Sequence, residues 1–219
     1  MAPTEINRLI IVGGGGFGHE VASWAADCHA AGSLPPASGY LDDEDRGPLG
    51  RGVPHIGSVA GYQPQAGDRL LLAVGAPDTK RKLVDLLRPR GAVFATLIHP
   101  TAIIGSNCRH EEGVIICPLA MNTANTHMGP FSSLLTFSGL GHDARLGAFS
   151  TVSSHVDLMG HATVGEGVFI GSGARVMPGV MVGDGARIGA NVVAQRNVAA
   201  GMTLFTLPAK SLKMPASKS

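Results

Sequence analysis

No charge of either sign dominates this chain. Seventeen Lys and Arg against sixteen Asp and Glu leave a net charge of +1, and no basic run stands out. That argues against nucleic acid or an anionic membrane as the main partner. Long hydrophobic runs are missing too. None reaches the roughly 18 residues a membrane helix needs, and the N-terminus lacks a signal-peptide pattern, so a cytoplasmic protein with no membrane partner is expected. Cysteine is sparse: Cys28, Cys108 and Cys117 are odd in number and unpatterned, which fits a reducing compartment. Aromatic residues make only 5% of the 219 positions, whereas glycine occurs 31 times without a collagen period. The length allows one large core or two small ones. The glycine excess points to a repeat with many tight turns.

The repeat has a period of six. Stepping from Ile104 through Ile116, Leu134, Leu140, Leu146, Val152, Leu158, Val164, Ile170, Val176, Val182 and Ile188 to Ala194 and Ala200 gives seventeen positions. Fifteen are apolar; the exceptions are His110 and Asn122. Four residues after each lies a small or β-branched side chain, from Cys108, Val114 and Ala120 to Val192 and Val198. Glycine often follows the apolar position, as at Gly105, Gly141 and Gly171. A helix needs a period of 3.6 and an ordinary strand a period of two. A period of six fits a three-sided solenoid, in which each hexad makes one short strand and one corner. The aliphatic residue points inward, the small one fits the corner, and glycine is expected to free the backbone at the turns.

Residues 1–97 read as a small parallel α/β unit. Arg8-Leu9-Ile10-Ile11-Val12 is a buried strand leading into Gly13-Gly14-Gly15-Gly16-Phe17-Gly18 and a helix from His19 to about Ala31. A second strand at Gly39-Tyr40-Leu41 ends in Asp42-Asp43-Glu44-Asp45. A third spans Arg69 to Gly75, a helix follows over Asp78 to Arg88, and a fourth strand is expected at Val93–Leu97. The glycine loop fits G-x-G-x-x-G, follows a strand and opens a helix, the context of a phosphate site. Asp42 or Asp43, at the same sheet end, would accept hydrogen bonds from a ribose or base. Without a ligand, the same features make a tight strand–helix turn and a solvated acidic loop.

Several segments together carry a family resemblance. They are the strand–glycine loop–helix ending in Glu20-Val21-Ala22, then Tyr40-Leu41-Asp42-Asp43, Ile98-His99-Pro100, the hexads, and Leu207-Pro208-Ala209-Lys210. The chain resembles, over nearly its whole length, the PglD/sialic acid O-acetyltransferase-like nucleotide-sugar N-acetyltransferases, a branch of the hexapeptide-repeat acyltransferases. The resemblance implies a left-handed β-helix over 98–205 that binds acetyl-CoA, after a nucleotide-sugar domain over 1–97 and before a C-terminal tail, 206–219. It further implies a homotrimer with active sites between subunits. The expected reaction is acetylation of the amine of a nucleotide-linked 4-amino-4,6-dideoxy sugar, with GDP-perosamine favoured, for O-antigen or other polysaccharide biosynthesis. No metal is expected. UDP-linked substrates and sugar O-acetylation are the nearest alternatives. A zinc carbonic anhydrase using His142, His155 and His161, an NAD-dependent oxidoreductase and a non-catalytic scaffold are remoter ones.

The family's His–acid pair matches Leu140-Gly141-His142-Asp143, making His142 the expected base and Asp143 its orienter. In the hexad frame His142 lies two places after an inward Leu140 and so faces outward. Residues eighteen apart stack on successive coils about 4.8 Å apart. Gly160 therefore lies over His142 and leaves a notch beside the imidazole, and His161 lies over Asp143. By the resemblance, Gly160, Thr151, Ser172 and Ala190 contact acetyl-CoA. The substrate-binding candidates are Gly15, Gly16, Phe17, Asp42, Asp43 and Gly75. Four positions depart from the family pattern. Phe17 stands where the loop often has histidine, Leu135 where asparagine precedes threonine, Thr151 where a histidine meets acetyl-CoA, and Thr206 where glycine opens the C-terminal Gly-x-Pro-Ala-Lys. No cysteine is expected to act as nucleophile.

Overall fold

A computed structural model describes residues 8–207. Strands β1 (Arg8–Val12), β2 (Ala37–Leu41), β3 (His55–Gly57) and β4 (Asp68–Leu72) form a parallel sheet in the order β3-β2-β1-β4. Central β1 is apolar on both faces, as parallel strands covered on two sides are. Leu9 and Ile11 pack with Val21, Ala22 and Ala25 of α1 (Gly16–Ala30), while Ile10 and Val12 pack with Val84 and Leu87 of α2 (Pro77–Leu87).

One expected strand is missing here and one unexpected strand is present, each for a local reason. The fourth strand at Val93–Leu97 is absent. Phe94 makes an isolated bridge to Leu70, and Leu97–Ile98 instead pairs with Ile115–Ile116 as the solenoid's first strand. The chain leaves one sheet and joins the next within three residues, Ala95 N–H donating to Leu70 O and Leu97 N–H to Val114 O. Edge strand β3, three residues long and closed by Gly57 at φ 136°, lacks a readable alternation.

Beyond Ile98 the chain winds as a left-handed β-helix of two-residue strands on three faces. The first face carries seven strands, from Leu97–Ile98 through Ser133–Leu134 and Thr151–Val152 to Thr203–Leu204. The second carries six, including Gly139–Leu140 and Asp157–Leu158, and the third five, including His127–Met128 and Arg145–Leu146. Partners are eighteen apart, as Leu140 with Leu158. The inward stripe from Ile116 to Ala194 is buried throughout. At the open first coil, Ile104 is 38% exposed and His110 half-buried.

The hexad register does not run unbroken to Ala200. Val182 bridges Val198, and Ile188 pairs with Leu204, separations of sixteen. The last coil has lost two residues, so Val198 takes the inward aliphatic place and Ala200 is exposed. The glycines also work differently from expectation. Each corner places one residue in the left-handed region, at every sixth position from Asn107 to Asn191, and most of these are not glycine; Asp143 and His161 have φ 61° and 59°. The glycines after the inward residue serve close stacking instead: a Cβ on Gly141 would lie 2.7 Å from Gly160 N on the next coil.

The α/β unit docks on the first face and its corner with the third. Ile115, Cys117 and Leu135 join the α1-side cluster, and Phe131 and Phe149 the α2-side cluster. Arg81 pairs with Glu166 and Arg88 with Glu112. At the centre Lys80 is fully buried. Its Nζ donates to Phe131 O at 3.0 Å and Ser133 Oγ at 2.8 Å, with Ser150 O at 3.5 Å. No helix among the described residues is long and apolar enough to cross a membrane.

Candidate active site

His142 and Asp143 occupy the corner between the second and third faces. His142 faces outward, its side chain 62% exposed, with Nδ1 2.9 Å from Asp143 Oδ2. The left-handed backbone at Asp143 turns its carboxylate beside the preceding imidazole. Asn125, eighteen residues earlier in the same column, donates Nδ2–H to Asp143 Oδ1 at 3.3 Å. His161 Nε2 stands 3.9 Å from Oδ2. The hydrogen bond from His142 holds the Asp143 carboxyl below the usual carboxylate range, with Asn125 and His161 adding to the effect. Asp143 thus stays ionised at neutral pH and accepts Nδ1–H, which leaves the Nε2 lone pair outward.

Gly160 sits against that nitrogen. A Cβ at Gly160 would lie 2.5 Å from His142 Nε2. The Gly160 N–H has no acceptor among the described residues. Corner amides such as those of Ser172 and Ala190 share that freedom. Only Gly160 combines it with a missing side chain next to the paired imidazole.

The remaining candidates fall into separate places. Ser172 and Ala190 are exposed and stacked on the corner between the first and second faces, a different edge from His142. Thr151 is 1% exposed on the first face, with Oγ1 unpartnered among the described residues. The α/β unit docks on this face, so the Thr151 side chain lies inside the protomer. Phe17 and Leu135 are half-buried against one apolar cluster, with Phe17 5.9 Å from Trp24. His155 stacks on Phe137 with centroids 5.0 Å apart, away from His142 and His161, so the three histidines form no common site. Cys117 is buried, and burial pushes its thiol pKa up, the reverse of an activated nucleophile.

At the C-terminal end of the α/β sheet the glycine loop and acidic loop do meet. Gly14 N–H donates to Asp42 Oδ2 at 2.6 Å, and Glu44 N–H to Oδ1 at 3.1 Å. Asp42 therefore braces the loop as well as facing its end. Gly15 caps α1 with no side-chain cap and no acid in the first turn, and Gly15, Gly16 and Gly75 have open space where a Cβ would be. Asp43 is exposed. Of the motif Leu207-Pro208-Ala209-Lys210, all but Leu207 lies outside the described residues, as does most of the expected tail.

A carboxylate-paired histidine beside a bare amide on a left-handed β-helix marks an acyltransferase. The family model for bacterial transferase hexapeptide (six repeats) matches residues 161–194. PerB from Caulobacter crescentus, solved with CoA and GDP-perosamine, is 30% identical, with 95% of this chain and 99% of that one covered at a TM-score of 0.82. The acetyltransferase domain of PglB from Neisseria gonorrhoeae FA1090, solved with acetyl coenzyme A, is 27% identical over 94% and 98% of the two chains, TM-score 0.71. WeeI from Acinetobacter baumannii AYE shares the fold at 24% identity over 94% and 99%, TM-score 0.81. None of the curated proteins matches the chain by sequence. The chain belongs to the PglD/sialic acid O-acetyltransferase-like family of hexapeptide-repeat acyltransferases.

Proposed function

We propose that this enzyme transfers the acetyl group of acetyl-CoA to the amine of a nucleotide-linked 4-amino-4,6-dideoxy sugar, with GDP-perosamine the first substrate to test. The observation that carries this reading is the placement of His142 Nε2 against the side-chain-free Gly160, with Asp143 on the opposite ring nitrogen. The sugar amine attacks the thioester carbon directly. His142 Nε2 takes the amine's proton, Asp143 stabilises the imidazolium, and the Gly160 N–H donates to the developing oxyanion. CoA leaves as the thiolate, and no acyl-enzyme forms. Positioning supplies much of the rate, because a neutral amine is already a competent nucleophile. The nucleotide lies at the glycine loop, its phosphates on the uncapped start of α1.

The chain works as a homotrimer in the cytoplasm. The α/β unit covers the first face, while His142 stands on the opposite corner and Ser172 and Ala190 on a third edge. One protomer therefore holds the parts on different edges, and a neighbour brings them together. The GDP-perosamine and CoA bound by PerB support this substrate pair. The product would feed polysaccharide assembly such as O-antigen.

The test is a panel of GDP- and UDP-linked 4-amino-4,6-dideoxy sugars with acetyl-CoA, reading free thiol and the amide by mass. Turnover of the GDP-linked amine is expected. Acetylation of a hydroxyl with the amine left free would overturn the reading in favour of O-acetylation.

A further inference from the structure

Asp143 is approached by two imidazoles, and the mechanism uses only one. His161 stands edge-on to His142, with ring centroids 4.9 Å apart and planes at 89°. One ligand atom each from His142, Asp143 and His161 lies within 4.8 Å of the other two. Two imidazoles and a carboxylate are a donor set for Zn(II) and its borderline neighbours, with a fourth position left for water. Tetrahedral bonds of about 2.0–2.1 Å hold ligand atoms roughly 3.3 Å apart. The Asp143 Oδ2 separations here, 2.9 Å to His142 Nδ1 and 3.9 Å to His161 Nε2, bracket that value.

The scaffold fixes these groups before any ion arrives. His161 N–H donates to His142 O at 2.8 Å, locking the two coils together, and Asn125 holds the second carboxylate oxygen from outside. Side-chain exposures of 62%, 39% and 66% leave the cluster open to solvent ions.

We propose that His142, Asp143 and His161 bind a divalent transition ion, Zn(II) foremost, and that its binding switches off acetyl transfer. The switch rests on the reading of His142 Nε2 as the base. The ion takes the Nδ1 lone pair, so the proton Nδ1 shared with Asp143 moves through solvent to Nε2. The imidazole stays neutral, but Nε2 now carries hydrogen and cannot accept the amine's proton.

The full-length protein, stripped with chelator and dialysed, is titrated with Co(II) followed by visible absorption, then with Zn(II) in competition. One ion per chain is expected. His161→Asn should weaken binding at least about 10- to 100-fold, the range for losing even an outer partner, and its own metal-free rate is the reference for its zinc titration. A small excess of Zn(II) should suppress the wild-type initial rate, with EDTA restoring it, and should not affect His161→Asn. The amide is read by chromatography, because released CoA thiol itself binds zinc. No stoichiometric uptake, or uptake indifferent to His161→Asn, overturns the site and leaves the His142 assignment standing. Stoichiometric uptake through His161 with an unchanged rate overturns the switch, while the metal-free rate of His142→Asn decides the base separately.

Discussion

The two units of this chain hold their functional groups by different physics. In the solenoid, each residue is tied to the one eighteen places on by the same backbone ladder, coil after coil. A side chain's neighbours are then set by counting, as with Asn125, Asp143 and His161 in one column. In the α/β unit Gly14 meets Asp42, with Gly75 following β4 at the same sheet end, only because strand order places β2 and β4 beside β1. The contrast has a consequence for change. A loop insertion in the α/β unit stays local, whereas the two-residue contraction after Ala194 moves every later side chain of the solenoid to a new place.

Substitutions can break that contrast. His142→Asn should lower kcat toward the low end of the roughly 10²–10⁴-fold range of general-base help. Nucleotide-sugar affinity by calorimetry should not change; a loss of affinity would mean the corner is no independent catalytic part. Gly160→Ala sharpens the point. Its Cβ would meet the exposed His142 ring first, at 2.5 Å, so kcat should fall about tenfold, as for a displaced general base, with Tm unchanged. The same change at Gly141 meets backbone and should destabilise by about 1–3 kcal/mol.

Lys80→Met tests the junction between the units. It strands the Phe131 carbonyl and the Ser133 hydroxyl, whereas Ser150 O keeps the bond from Ser133 N–H, and should cost about 1–3 kcal/mol in chemical denaturation. Burial lowers the Lys80 pKa from 10.5 to about 7. The unfolded chain then binds the extra proton between those values, so the folded wild type gains stability as pH rises through that window and the variant's deficit widens. A deficit that narrows from neutral to alkaline pH would contradict this. Smallest is Asp42→Asn, which weakens the brace on Gly14 N–H. The KM for nucleotide sugar should rise by a factor equivalent to about 0.5–1.5 kcal/mol, with the KM for acetyl-CoA unmoved.

The sequence could be read furthest where geometry repeats. His142 outward, Gly160 over it and His161 over Asp143 all follow from a period of six, and Asn125 could have been found by the same subtraction. The arithmetic failed where the period does, at Ala200 and at the transfer of Leu97 from one sheet to the next. The burial of Thr151, a position offered by the resemblance, was not legible either, because the hexad frame says which way a residue faces but not what covers that face. Phe17 and Leu135, far apart in sequence, share one apolar cluster for the same reason. Nothing in the pattern of α2 marks Lys80 as buried, since lysine in an amphipathic helix ordinarily faces water.

By itself, then, the order of residues determined the three-sided coil, the parallel α/β unit and which side chains share a corner, because strand and corner preferences act over six residues and repeat. Only the tertiary structure decided which solenoid face the α/β unit covers, which side chains that contact buries, and that the last coil closes two residues short. Those outcomes depend on surfaces meeting across long sequence separations, and no local periodicity encodes them.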